Sequence, residues 1–322
     1  MSTTNEERTL LVQTVRDLVA KHAGPEQVRT AMAAEAGFDR KLWTLLCEQV
    51  GVAALVVPEE FGGAGGELAD AAAVITELGR ALVPSPLLGT TLTELALLAA
   101  DQPDTETLEQ LAAGALVGAV ALDPDYVLHG DVADVVVGLG ADGLSRWTEF
   151  TATAHPTMDL TRRLARVQPT RTEPLGVDPG LADTAAILLA AESVGAAARC
   201  LELTVEYTKE RVQFGRPIGS FQALKHRMAD LYVKVQTAGA VVDEAVANPS
   251  STTAALAHIA ATEAFVDVAA EAVQMHGGIA ITWEHDIQLY FKRAHACAQL
   301  LGQPIEYLRS LESEALAAHV TS

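Results

Sequence analysis

The chain has 322 residues, 49% of them hydrophobic and 20% charged, enough for a folded protein with a sizeable core in two or three domains. Lys plus Arg number 22 against 42 Asp plus Glu, and the net charge of −20 excludes nucleic acid as an expected partner and offers no basic face to an anionic membrane. Any phosphate-bearing ligand has to be held by a few local donors, because the overall field repels it.

Residues 5 to about 113 read as helices near 5–22, 26–35, 39–50, 68–82, 90–100 and 104–113. Asp39 is a suitable N-cap for the third, which sets Trp43, Leu46 and Val50 on one face. The glycine-rich run from Pro58 to Gly66 interrupts the pattern, and Pro84 and Pro86 interrupt it again. From 115 to 178 the texture changes. Short β-branched runs at 115–122, 134–138 and 150–154, separated by Gly, Asp and Pro, predict a small antiparallel β unit. The run 160–167 carries Arg162, Arg163 and Arg166 and reads as a solvated or domain-bridging stretch where the β unit meets helices.

From 180 onward the pattern is helical again, with long helices expected near 182–211, 220–247, 252–275 and 284–301 and a frayed tail. Their apolar stripes include Ile187, Ala191, Val194, Ala198, Leu201 and Val205 in the first. The second has Leu224, Met228, Leu231, Val235 and Val242, and the last has Ile287, Tyr290, Ala294, Cys297 and Leu301. Four such helices with short connections predict an antiparallel bundle. Cys47, Cys200 and Cys297 are far apart and form no C-x-x-C pair, so they read as small buried apolar residues in a reducing compartment. No apolar run approaches the length of a membrane span and the N-terminus is polar, so the expected location is cytoplasmic.

Three stretches carry residues that could do chemistry. Gly138-Leu-Gly140-Ala-Asp-Gly143 spells a dinucleotide fingerprint, but no helical pattern follows and no acidic residue stands at the ribose position, so a hairpin turn is the better reading. Between the first two long helices, residues 206–222 form a corner broken by Gly215, Pro217 and Gly219. It carries Arg211, Gln213, Phe214 and Gln222, which a plain corner does not need. The third stretch, Gln274-Met275-His276-Gly277-Gly278, closes the third bundle helix. It is either an ordinary glycine stop or a place where backbone amides approach a pyrophosphate. His276 has no second His, Cys or carboxylate at ligand spacing, so no metal site is expected.

Taken together, Leu42-Trp43 with Val57 to Gly63, Arg211 to Gln222, and Gln274 to Gly278 resemble the acyl-CoA dehydrogenase family in order and separation over most of the chain. The resemblance implies a mostly α fold: an N-terminal helical domain (1–114), a reduced central β domain (115–179) and a C-terminal four-helix bundle (180–322). It also implies FAD bound at a subunit interface. The corner and the glycine loop would reach into a neighbour and hold the ADP half of its FAD through Arg211, Gln213, Phe214, Gln222, Gln274, Met275, His276, Gly277 and Gly278. The family removes two hydrogens across Cα–Cβ of an acyl-CoA thioester, with a glutamate taking the Cα proton, and usually passes electrons to an electron-transferring flavoprotein.

Two departures stand against that pattern. Leu301 occupies the position of the usual glutamate, and the alternative location at the start of the first bundle helix, Asp183 to Ala186, has no glutamate. The β domain is short, with Ala121 to Pro124 as a remnant of its flavin-contacting strand and no recognisable tryptophan-centred cover for the flavin ring. The expectation is a base-lacking subunit paired with a full-length, glutamate-bearing homologue in an α2β2 complex, a type that includes enzymes acting on sterol side-chain CoA esters. Two alternatives stay open. One is a self-sufficient homo-oligomer using Glu192, Asp183 or Glu284 as base, with burial raising Glu192. The other is a non-catalytic scaffold or acyl-CoA-binding module.

Overall fold

Local signals place the helical starts well. The computed structural model describes residues 4–320. Helix α1 (Asn5–His22) opens on a reciprocal capping box between Thr4 and Glu7, and α2 (Pro25–Met32) has proline in its first turn. Helix α3 (Arg40–Val50) is capped by Asp39, which accepts from the Lys41 and Leu42 amides, and stops at Gly51 in the left-handed region. Helices α4 (Leu68–Arg80), α5 (Leu87–Leu98) and α6 (Thr105–Ala112) follow. The fifth begins three residues before the expected 90, directly after Pro86. On it, Glu94 is fully buried with both carboxylate oxygens unpartnered, and burial pushes its carboxyl well above the usual range.

The β unit is a five-stranded sheet of β1 (Gly118–Ala121), β2 (Val127–Leu128), β3 (Val135–Gly140), β4 (Gly143–Ala154) and β5 (Leu164–Gly176), in spatial order β1-β3-β4-β5-β2. It is mixed, not purely antiparallel, because β1 runs parallel to β3 in register Gly118↔Val135. The short segment from 122 to 126 leads into β2, which pairs with β5 at the other end of the strand order while staying in contact with β1. The hairpin reading of the glycine run holds: β3 and β4 pair up to Gly140↔Gly143, and a strand, not a helix, follows. Trp147 lies against Gly138, where an added Cβ would sit 2.2 Å from the indole Nε1. The arginine run 160–167 turns out to lead into the 13-residue β5, whose Pro169 and Pro174 disguise it as loop.

The C-terminal part contains α7 (Leu181–Glu210), α8 (Gln222–Ala247), α9 (Ser251–His276), α10 (Ile287–Cys297) and α11 (Pro304–Val320). The expected helix 284–301 is thus shorter, and the expected frayed tail is an additional helix. The expectation that no run reaches membrane-span length also needs correction. By length and composition, Leu181–Glu210 and Ser251–Ile281 are long and apolar enough. Their alanine-rich faces pack on one another, that of α7 also on α4 and that of α9 also on α8 and α10, so most of that apolar surface lies inside the protein. Helix α8 differs. It buries Leu231, Val235, Ala238, Val242 and Ala245 but leaves Tyr232 and Val233 exposed.

One continuous apolar core joins the N-terminal helices to the bundle through residues such as Leu46, Leu97, Leu188 and Phe265. A smaller core of Val136, Trp147 and Val167 fills the sheet. All three cysteines are free and buried, and burial pushes the Cys47 thiol up to about 12.

Candidate functional site: an exposed corner and a closed junction

At one end of the bundle, α7 stops where the chain turns out at Arg211. The turn is a two-stranded ribbon of β6 (Val212–Gln213) and β7 (Arg216–Pro217) with Phe214 and Gly215 at its tip, both at positive φ. Phe214 is 92% exposed, an unusual cost for a large apolar ring in a left-handed conformation. The Arg216 guanidinium stacks 4.0 Å from the Phe221 ring centroid and braces the ribbon. Arg211, Gln213 and Gln222 are all exposed.

The loop after α9 comes to the same end. His276 stacks on Tyr207 of α7 with ring centroids 4.2 Å apart, and the Tyr207 hydroxyl donates to the His276 carbonyl at 3.3 Å. Gln274, Gly277 and Gly278 are exposed, and a Cβ added at either glycine would meet nothing within 4 Å, so their backbone is open to a ligand. Gly277 has φ 66° and ψ −145°, a conformation reserved for glycine. Met275 and His276 behave differently from the rest of the predicted set. Both are buried, with His276 Nδ1 donating to the Ala272 carbonyl at 2.7 Å, so they hold the loop from beneath and do not face outward. Burial, together with the neighbouring His285, holds the His276 imidazole below its usual range.

The second region lies where the β4–β5 connection meets α7 and α10. Arg293, only 2% exposed, donates to Glu192 at 2.5 Å and to the Thr161 hydroxyl and carbonyl, and pairs with Asp159 at 2.7 Å. Arg162 donates to the other Glu192 oxygen and lies 3.5 Å from Cys297 Sγ. Asp159 is tied down by the Thr161 amide and hydroxyl. Burial alone drives Glu192 upward, but the two guanidiniums outweigh it and hold the carboxyl below its usual range. The void left beside this network measures about 20 Å³ and is lined also by Ser85, Leu128 and His129. That is room for a water, whereas small-molecule sites run to several hundred Å³. His129 has an orphaned Nε2, φ of 52°, and a pKa lowered to about 4 by burial and the nearby Arg162.

A larger groove, about 380 Å³, lies between α1, α2, α4, α7 and α10 with an apolar floor. Its arginines are already matched to acids: Arg16 to Glu77, Arg29 to Asp286, and Arg80 and Arg199 to Glu202.

Residues 5–115 match the family described as "Acyl-CoA dehydrogenase, N-terminal domain", and residues 180–310 match "Acyl-CoA dehydrogenase, C-terminal domain". The chain is 68% identical over 309 residues to the acyl-CoA dehydrogenase IpdE2 of Mycobacterium tuberculosis, covering 96% of this chain and 97% of that protein. It belongs to the acyl-CoA dehydrogenase family. Among solved structures, a Tcur3481–Tcur3483 steroid ACAD variant aligns with a TM-score of 0.89 at 25% identity, over 99% of this chain and 100% of that one. The ChsE4–ChsE5 complex from Mycobacterium tuberculosis aligns with a TM-score of 0.84 at 25% identity, over 98% of each.

The two regions differ in what they have room to hold. The corner and glycine loop fit a pyrophosphate and an adenine: a free guanidinium fork, three carboxamides, an exposed ring and open backbone. The junction does not fit an isoalloxazine ring, because side chains already fill it. The alternative bases are separated. Glu192 is locked between two arginines, with its carboxyl moved opposite to the rise expected from burial. Glu284 is exposed on the α9–α10 connection, and Asp183 is half-buried in the first turn of α7. Leu301 sits at φ 66° in the turn before α11, its carbonyl accepting from the Tyr307 hydroxyl at 2.8 Å. Sequence reasoning missed Arg293, Asp159 and Thr161. The available signal was Arg293 itself, one residue before Ala294 and three after Tyr290, hence on the stripe of a core helix.

Proposed function

We propose that this chain is the base-lacking subunit of an FAD-dependent acyl-CoA dehydrogenase complex, lending the ADP-side contacts to FAD held in a full-length, glutamate-bearing partner. The observation that carries the reading is the contrast just described: an exposed donor set at the bundle end and a side-chain-filled junction in the same chain. Leucine at position 301 adds support, since a leucine cannot take a proton. In the pair, Arg211 donates a charge-assisted fork to the diphosphate, Gln213, Gln222 and Gln274 supply further donors, Phe214 covers an apolar face, and the Gly277 and Gly278 amides approach the phosphates. When bound, FAD supplies the hydride acceptor for α,β-dehydrogenation of an acyl-CoA thioester. The likeness to a steroid ACAD and to the ChsE4–ChsE5 complex points to a steroid-derived acyl group and an α2β2 assembly. An electron-transferring flavoprotein as acceptor and a cytoplasmic location complete the proposal, the latter supported by three free, buried thiols.

The test is co-purification and flavin counting. The assembled pair is expected to hold one FAD per two chains and to oxidise an acyl-CoA, and the lone chain to do neither. Stoichiometric FAD and turnover by the lone chain would overturn the proposal in favour of a homo-oligomer.

A further inference from the structure

The two cofactor-facing loops come from different helices, with Gln222 and Gln274 standing 52 positions apart, yet a single diphosphate needs both at a fixed spacing. What sets that spacing is the last turn of α7. Its Tyr207 carbonyl accepts the Arg211 amide at 2.9 Å, which ends the helix where the corner begins. The Tyr207 ring lies on the imidazole of His276 at 4.2 Å with 23° between planes, and its hydroxyl reaches the His276 carbonyl at 3.3 Å. Since Gly277 follows immediately, the hydroxyl fixes the peptide that leads into the glycine pair. The next residue, Thr208, faces the other way. It is fully buried, and its hydroxyl lies 3.5 Å from Met228 Sδ on α8. Gly219, on the returning side of the corner, packs so closely that a Cβ there would stand 2.9 Å from the Thr208 carbonyl.

On these contacts, and resting on the reading of the corner and glycine loop as FAD-holding, we propose that Tyr207 is a positioning residue for the ADP end of the cofactor. Its ring and hydroxyl fasten the glycine loop to the same helical turn that fastens the arginine corner. It touches neither loop's ligand-facing atoms; it fixes where those atoms stand. His276 takes part as the stacked partner, and the ring in turn meets His285 edge-on at 4.6 Å. His285 is flanked by Asp286, which pairs with Arg29 of α2. A proton on His276 would set a cation against that neighbour, and burial opposes it.

The experiment uses the complex with its flavin-bearing partner, loaded with FAD, and follows flavin release by fluorescence. Tyr207→Phe keeps the stacking and deletes one hydrogen bond, so release is expected to quicken about three- to tenfold. The melting temperature of the FAD-free complex stays unchanged. Tyr207→Ala, which also removes the stacked ring, is expected to quicken release further. A purely structural role would show the reverse in Tyr207→Phe: a lowered melting temperature with release unaltered, and that result would overturn the proposal. Arg211→Ala separates the two levels. If it quickens release while Tyr207→Phe does not, the positioning role fails and the cofactor reading stands. If neither variant changes release, the cofactor reading itself fails.

Discussion

Arg293 and Arg211 stand in the same chain and do opposite things. Arg293 is 2% exposed, with Thr161, Asp159 and Glu192 around its guanidinium. Arg211 is exposed at a helix end, and among the described residues no ion pair engages its guanidinium. A desolvated arginine needs its partners for the fold to survive, whereas an exposed one costs the fold little and remains available to a ligand. The difference teaches that charge placement, more than charge content, separates the part of this chain that holds itself together from the part left open to solvent.

The harshest way to break the comparison is Arg293→Ala. It leaves Asp159 in the interior without a counter-charge and Glu192 with Arg162 alone, and is expected to cost about 3–5 kcal/mol in urea unfolding. Replacing Asp159, Arg162, Glu192 and Arg293 together with apolar residues of similar size should recover most of that loss, because buried ion pairs repay little beyond their own desolvation. At the other region, Arg211→Ala should leave unfolding unchanged but weaken FAD retention in the assembled complex by about 1.5–3 kcal/mol, roughly ten- to 150-fold, read by equilibrium dialysis. The neighbouring glycines sharpen the contrast. Gly277→Ala is expected to destabilise by about 1–3 kcal/mol through its backbone conformation. Gly278→Ala, at a position with open space and no left-handed φ, should affect FAD retention and hardly the fold. Phe214→Ala should be the mildest for stability, within about 0.5 kcal/mol, since the ring is 92% exposed and meets only the Phe221 ring, edge-on at 6.2 Å.

Acidity offers a further lever on the junction. Glu192 titrates below its unfolded value, so its stabilisation is present above the ordinary carboxylate range and lost as pH falls through the lower folded value. Glu192→Gln should flatten the acid limb of a stability–pH curve, measured by denaturant midpoint.

The corner was legible because its signals are local: two apolar stripes, glycine and proline breaks between them, and polar residues in excess of what a turn requires. The junction was not, because its partners are remote. Glu192 and Arg293 lie 101 positions apart, and only folding brings them together, which is why burial without a counter-charge gave the wrong direction for that carboxyl. Strand β5 escaped for another reason. Pro169 and Pro174 sit in a largely exposed strand, so neither β-propensity nor alternation marks it. His276 shows the limit of motif transfer. Its place in the sequence suggests a ligand contact, and its side chain is instead part of the floor.

Glu94, with no hydrogen-bond donor to either oxygen among the described residues, makes the folded chain a proton acceptor. The unfolded chain releases that proton at an ordinary carboxylate pH, while the native state retains it to a higher one. Stability therefore declines as the medium is made more alkaline across that interval, the mirror image of the acid limb set by Glu192. Folding in a weakly buffered solution should then take up hydrogen ions from the bulk, a quantity that calorimetry in buffers of different ionisation enthalpy reads directly.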